Sequence, residues 1–170
     1  VGMDKIQIVP SKFNGYTMDF HVAIEDKTGD SAIIEFIGGK KTVYHDRDFI
    51  VLTNNPSYDA QIRNLTQYRT FGGTKPLPGN IESTDRFVRL QYFSQYLPQT
   101  KDKNKAVSYM LSAMRTVASP FGAPYSGGAT YPTWWTSVSD LTNAIYHYDW
   151  VESPSTIKVE LSTIDFSEGS

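Results

Sequence analysis

The sequence predicts an α+β fold built on antiparallel sheet, and three observations carry that reading. Period-two alternation of apolar residues dominates residues 16–53 and 133–161, whereas helical spacing dominates residues 56–118. The two strand-rich segments flank the helices, so strands do not alternate singly with helices as in a parallel βαβ fold. Aromatic residues make up 14% of the chain, with 11 Tyr and 9 Phe, which suits pleated surfaces and aromatic-lined faces.

The elements follow in order. In YTMDFHVAIE, residues Tyr16, Met18, Phe20, Val22 and Ile24 share one face and Thr17, Asp19, His21, Ala23 and Glu25 the other, which predicts a half-buried strand over 16–25. Asp26–Asp30 reads as a turn, and Ser31–Ile37 as a second strand. Gly38-Gly39 is a two-residue hairpin signal leading to a third strand, Lys41–His45. Phe49–Thr53 is nearly all apolar and predicts a buried fourth strand, giving an antiparallel meander of four. Asn55 then offers an N-cap and Pro56 a first helical residue, with Tyr58, Ile62, Leu65 and Tyr68 on one face of a helix over 56–69. Thr70–Asn80 is a Gly/Pro loop. A second helix is expected over 82–97, with Phe87, Leu90, Phe93 and Leu97 on its stripe. A third, over 103–118, carries Val107, Met110, Leu111, Met114, Val117 and Ala118 and is stopped by Pro120. Ser119–Pro132 is a long loop, and strands resume at 133–141, 144–150 and 156–161. The opening MDKIQIVP reads as the end of an element, so the chain is expected to be a piece of a longer one.

Composition narrows the function. A chain of 170 residues with 39% hydrophobic content can bury a core without disulfide staples. Sixteen basic residues against 18 acidic give a net charge of −2, so no basic stripe for nucleic acid is expected. No apolar run approaches the ~18 residues of a membrane span. With no cysteine, this chain holds no disulfide, thiolate metal site or cysteine nucleophile of its own.

Few residues suggest chemistry unaided. Of the three histidines, His21 and His45 would make two metal ligands if their strands were adjacent, but strand histidines with one polar neighbour each are the simpler reading. His147, between Tyr146 and Tyr148, reads as strand packing. Gly72-Gly73-Thr74-Lys75 lacks phosphate-loop spacing and reads as a plain loop. Asp59, Glu82 and Asp85 stand in first helical turns, where the helix dipole accounts for them. Two positions stand out. Asn54 ends the expected fourth strand, where a fixed carboxamide can donate to a developing oxyanion, although a helix cap there is the plainer reading. Arg86 falls on the stripe with Leu90, Phe93 and Leu97, where a cation needs a partner: a carboxylate in a structural salt bridge, or a group in a pocket.

Two runs carry a resemblance. They are Leu52-Thr53-Asn54-Asn55-Pro56-Ser57-Tyr58-Asp59-Ala60-Gln61-Ile62-Arg63-Asn64-Leu65, and Leu77-Pro78-Gly79-Asn80 followed by Ser83-Thr84-Asp85-Arg86-Phe87-Val88-Arg89. With the looser Thr133–Asp140 run, Ser31–Phe36 and Ile6–Pro10, the chain resembles the choloylglycine hydrolase family, which includes conjugated bile acid hydrolases and penicillin V acylases. The resemblance implies an N-terminal nucleophile hydrolase, a four-layer αββα sandwich of antiparallel sheets. It implies hydrolysis of a linear amide (bile salt, penicillin V or another N-acyl amide) by an N-terminal cysteine whose own α-amino group is the base, with no metal or organic cofactor. Asn54 then matches the family's oxyanion donor, and Arg86 its arginine beside the nucleophile.

The departures are equally informative. Residue 1 is Val1, and the family's cysteine, its first arginine, an aspartate and another asparagine belong upstream. Residues 1–170 are therefore expected to be the C-terminal portion of a single hydrolase domain, its partner being the missing N-terminal half, and inactive alone. Only eight residues separate Tyr68 from Leu77, where tetrameric members of the resembled family carry a longer excursion to a neighbouring subunit. The resemblance therefore implies a dimer in place of larger assemblies, and a likeness to Gram-negative members implies an exported, periplasmic bacterial protein over a cytoplasmic one. The alternative is a non-catalytic acyl-ligand-binding or interaction domain.

Overall fold

A computed structural model of the chain describes residues 12–13, 16–17, 19–153 and 155–167. The expected terminal element in MDKIQIVP, and Met18 of the first expected strand, lie outside the described residues. The chain divides into two compact units, residues 1–52 and 53–170. The architecture is α+β with antiparallel pairing in every sheet, as the sequence predicts.

In the first unit, β1 (Lys12–Phe13) and β2 (Tyr16–Thr17) form a short hairpin. β3 (Phe20–Glu25), β4 (Ser31–Ile37) and β5 (Lys40–His45) form an antiparallel meander in that order. Gly38 and Gly39 have φ of +57° and +77°, the left-handed pair that a tight hairpin needs. The Asp26 carboxylate closes the preceding turn, accepting from Thr28 N at 2.7 Å and Thr28 Oγ1 at 2.6 Å. Burial concentrates in the central strand: Ile33 and Ile34 point to opposite faces and each is 1% exposed. β3 departs from its expected half-buried stripe. Phe20 and Val22 are exposed, because β3 is an outer strand, although Phe20 stacks on its cross-strand partner Phe36 at 4.8 Å.

The expected fourth strand is absent. Val51 and Thr53 are buried, but the amides of Phe49 and Ile50 turn back to the carbonyls of Asp46 and Asp48, both at 3.1 Å. The Phe49 carbonyl accepts from Ser31 Oγ at 2.8 Å. These groups are thus satisfied locally and by a side chain, and the meander has three strands.

The second unit holds α1 (Tyr58–Leu65), α2 (Ser83–Ser94), α3 (Lys103–Arg115), and the antiparallel sheet β6 (Trp135–Asp140), β7 (Ile145–Trp150), β8 (Thr156–Glu160). α2 packs against both other helices, and α3 lies on β6. Phe87, Val88, Arg89 and Leu90 are all buried in succession, so α2 is covered around its circumference. Phe87 meets Tyr58 of α1 edge-to-face at 5.9 Å. Burial of such a side chain contributes about 2–3 kcal/mol. Asp102 caps α3, accepting from the amides of Asn104 and Lys105. On one face of the C-terminal sheet, Tyr146, Tyr148 and Trp150 stack in a row, and Trp135 lies nearly parallel to Trp150.

Three helical expectations shift. α1 starts at Tyr58 with Ser57 in the cap position, so Asn55 is not its cap and Pro56 not its first residue; the Asn55–Pro56 bond is cis. α2 ends at Ser94, leaving Leu97 beyond the helix. Met110 of the expected α3 stripe is exposed, since the apolar side of α3 centres on Leu111 and Ala113.

Candidate active site

The second unit opens with Thr53, Asn54 and Asn55, and α2 passes beside them. Thr53, Asn55 and Ser83 form a polar cluster with buried members. Ser83 Oγ donates to Thr53 Oγ1 at 3.0 Å, and Thr53 Oγ1 donates to the Ser83 carbonyl at 3.1 Å. The Asn55 amide donates to Ser83 Oγ at 3.1 Å. Gln61, reaching back from α1, donates through Nε2 to the Asn55 carbonyl at 2.8 Å and to Thr53 Oγ1 at 3.1 Å. The backbone of Asn55 is thus held by α1 and α2 at once, which explains why Asn55 does not cap α1.

Asn54 stands at the rim of this cluster, exposed, and Arg86 grips it. The Arg86 Nη2 donates to Asn54 Oδ1 at 2.7 Å while its Nε donates to the Ile81 carbonyl at 2.9 Å. A guanidinium only donates, so the oxygen of the Asn54 carboxamide must face it and the Nδ2 hydrogens turn away. Nδ2 has no hydrogen-bond partner among the described residues and is free to donate to a charge that develops beside it. The sequence raised a salt bridge for Arg86. The partner is instead a carboxamide, 32 residues away in sequence.

A second arginine shapes the same region. Arg89 is only 9% exposed and donates to three backbone carbonyls: Thr116 at 3.1 Å, Pro78 at 3.4 Å, and Asn80. Burial depresses its pKa, and the nearby Arg86 charge adds to that, while Asp85 opposes it. The two arginines therefore share the carbonyls of Pro78, Asn80 and Ile81, which fixes the loop entering α2.

Arg86 also borders a cavity of about 290 Å³, walled by Met114, Val117, Ala118, Trp135 and Ser137. A larger cleft of about 390 Å³, between the start of α3 and the β6–β7 turn, contains neither Asn54 nor Arg86. The residues flanking loop 119–132, Ala118 and Thr133, line the smaller cavity, and none within that loop does. The loop is tied down at Ser126, whose amide donates to Glu82 Oε1 at 2.6 Å. Glu82 thus has a partner beyond the helix dipole that the sequence suggested.

The remaining candidates are structural. His21 and His45 lie on β3 and β5 with β4 between them, so they do not adjoin. His21 faces Glu35 at 3.9 Å and His45 faces Asp30 at 2.9 Å, one polar neighbour each. The amides of Gly73, Thr74 and Lys75 are spent on the carbonyls of Tyr68 and Gln67, which leaves no cradle for a phosphate.

The sequence expectations for the site do not include Gln61, Ser83 or Arg89. Gln61 had a signal: it falls between Tyr58 and Leu65 on the buried side of α1, where a polar residue needs partners.

This geometry meets its relatives in known proteins. Penicillin V acylase from Agrobacterium tumefaciens superposes with a TM-score of 0.77 at 30% identity, covering 88% of this chain and 48% of that one. A conjugated bile acid hydrolase from Clostridium perfringens superposes at 0.69 with 22% identity, a likeness of fold. The fold is thus a mixed α/β fold with antiparallel sheets, similar to N-terminal nucleophile hydrolase structures. The chain belongs to the choloylglycine hydrolase family of linear amide C–N hydrolases, whose pattern it matches over residues 2–168. Penicillin V acylase of Pectobacterium atrosepticum is 29% identical over 160 residues, 86% of this chain and 43% of that protein. A bile salt hydrolase/transferase of Bifidobacterium longum is 28% identical over 139 residues, 68% of this chain and 44% of that protein. The chain spans about half the length of the curated relatives it matches. No helix among the described residues is long and apolar enough to cross a membrane.

Proposed function

We propose that this chain is the C-terminal portion of an enzyme that hydrolyses a linear amide, with the nucleophile supplied by a cysteine outside it. The observation that carries the reading is the Arg86-held carboxamide of Asn54, whose Nδ2 has no partner among the described residues. Attack of a thiolate on an amide carbonyl forms a tetrahedral oxyanion, and a fixed donor beside that oxygen lowers the barrier. Asn54 takes the donor role. Arg86 keeps the carboxamide aimed and contributes positive charge to the site. The oxyanion then collapses with cleavage of the C–N bond, the leaving amine taking the thiol's proton from the cysteine's own α-amino group, and water hydrolyses the acyl–sulfur bond to release the acid and regenerate the thiol.

Phenoxyacyl penicillins and conjugated bile salts are the substrate classes named for the relatives. The cavity beside Arg86, with Trp135 in its wall, suits an apolar acyl group. From the family resemblance of the short segment between Tyr68 and Leu77 we favour a dimer exported to a bacterial periplasm. Light scattering of the intact protein tests the first, and cell fractionation the second.

The test of the function is hydrolysis by the intact enzyme. It should release amine from phenoxymethylpenicillin or from glycocholate, and alkylation of its cysteine should abolish release. Residues 1–170 alone should release none. Activity that survives alkylation would overturn the reading.

A further inference from the structure

Arg86 aims the carboxamide of Asn54 but does not fix the backbone from which it reaches. That backbone is gripped indirectly, through the residues on either side. Thr53 and Asn55 are both bound by one side chain, Gln61, which is 1% exposed and donates to Thr53 Oγ1 at 3.1 Å and to the Asn55 carbonyl at 2.8 Å. Ser83 Oγ completes the clamp by accepting from the Asn55 amide at 3.1 Å and donating to Thr53 Oγ1 at 3.0 Å. The orientation of the Gln61 carboxamide is settled by its neighbours, since turning it over would set Oε1 against the Asn55 carbonyl, two acceptors face to face.

That orientation leaves Gln61 Oε1 buried with no partner among the described residues, where every other buried side-chain polar atom among them has one. A residue serving only to fill the core would not bring an orphaned polar oxygen with it; an apolar side chain of the same length would pack there at no such cost. The two hydrogens of Nε2 are what the position supplies, and both are aimed at the residues flanking Asn54.

We propose that Gln61 is a positioning residue for Asn54, acting with Ser83 to fix the backbone from which the carboxamide reaches Arg86. The proposal rests on the reading of Asn54 as oxyanion donor. It places the control of that donor on α1 and on the first turn of α2, away from the reacting atoms. A displacement of the donor by about 1 Å is enough to cost up to ~10²-fold in rate.

A double-mutant cycle in the intact enzyme tests it, using Asn54→Ala, Gln61→Met and the pair. Gln61→Met keeps the length and removes both donors. It should lower kcat at least ~10-fold with KM changed less than ~2-fold, and it should lower kcat little further once Asn54 is alanine, because its effect passes through Asn54. Full, additive losses on the Asn54→Ala background, or unchanged kcat in the single variant, would overturn the proposal while leaving the oxyanion role intact. Unchanged turnover in Asn54→Ala itself would instead remove the reading on which it rests. Should Gln61→Met fail to fold, as judged by circular dichroism, Ser83→Ala runs the same cycle with the same two outcomes.

Discussion

Arg86 Nη2 donates to Asn54 Oδ1 at 2.7 Å, and this one bond decides which end of the Asn54 carboxamide is offered to the site. Without it the carboxamide has no fixed sense, and under the proposed mechanism its oxygen would face the developing oxyanion as easily as its nitrogen. Arg86 can do this because its Nε is anchored on the Ile81 carbonyl at 2.9 Å, which fixes the plane of the guanidinium.

A lysine at that position keeps the charge but not the two-point grip. Arg86→Lys in the intact enzyme should therefore lower kcat at least about tenfold, since a misaimed group costs up to ~10². Steady-state kinetics check this. Full turnover in Arg86→Lys would mean that charge alone suffices.

Arg89 is a different case, with a structural effect. It holds the carbonyls of Pro78, Asn80 and Thr116 from a buried position. Arg89→Met removes three charge-assisted bonds and leaves those carbonyls without their donor, a loss of about 3 kcal/mol. Denaturant unfolding of the intact protein measures it. A midpoint shift corresponding to less than about 1 kcal/mol would show that water replaces the arginine.

Two glycines should behave oppositely. A Cβ at Gly73 would lie 2.1 Å from the Gln67 carbonyl carbon, in backbone that cannot move aside. A Cβ at Gly79 would meet nothing within 4 Å. Gly73→Ala should destabilise by about 1–3 kcal/mol or more, and Gly79→Ala should be close to neutral. Paired thermal melts separate them.

Asp59 gives an acid-side prediction. Its carboxylate accepts from Ser57 Oγ at 2.6 Å and pairs with Arg63, and these, the serine bond first, hold its pKa below the usual carboxylate range. A carboxyl depressed on folding contributes stability that is fully present above its unfolded value, near pH 4, and is lost as pH falls through the lower native value. Asp59→Asn should therefore flatten the pH dependence of unfolding below about pH 4. The change is small, because the group is exposed and screened. Denaturant midpoints from pH 5 down to pH 2 check it, and parallel curves for the two proteins would contradict it.

These predictions draw unequally on sequence and structure. The strands from Phe20 to His45 and from Trp135 to Glu160 are legible because a pleat forces apolar residues into alternation, and Gly38-Gly39 marks its own turn. Phe49–Thr53 misleads because burial and strand pairing are different properties: Val51 and Thr53 are buried, yet the Phe49 and Ile50 amides bond within their own turn. Asn55-Pro56 has the composition of a helix start, but Ser83 and Gln61 claim the Asn55 backbone. Arg86 is conspicuous as a cation on an apolar stripe, which says that it has a partner without saying which. That partner lies 32 residues back, a distance only the fold spans. Gln61 is the reverse: its two nearest partners lie six and eight residues away, and only its buried position on α1 betrays it.

The most direct measurement for the account as a whole is kcat for Asn54→Ala in the intact enzyme, with an amide substrate that the parent hydrolyses. The account predicts a fall of about 10²–10³ with KM nearly unchanged, as for loss of a donor that acts only on the developing oxyanion. Turnover within about twofold of the parent would contradict it, because the geometry around Asn54 would then serve no step of the reaction.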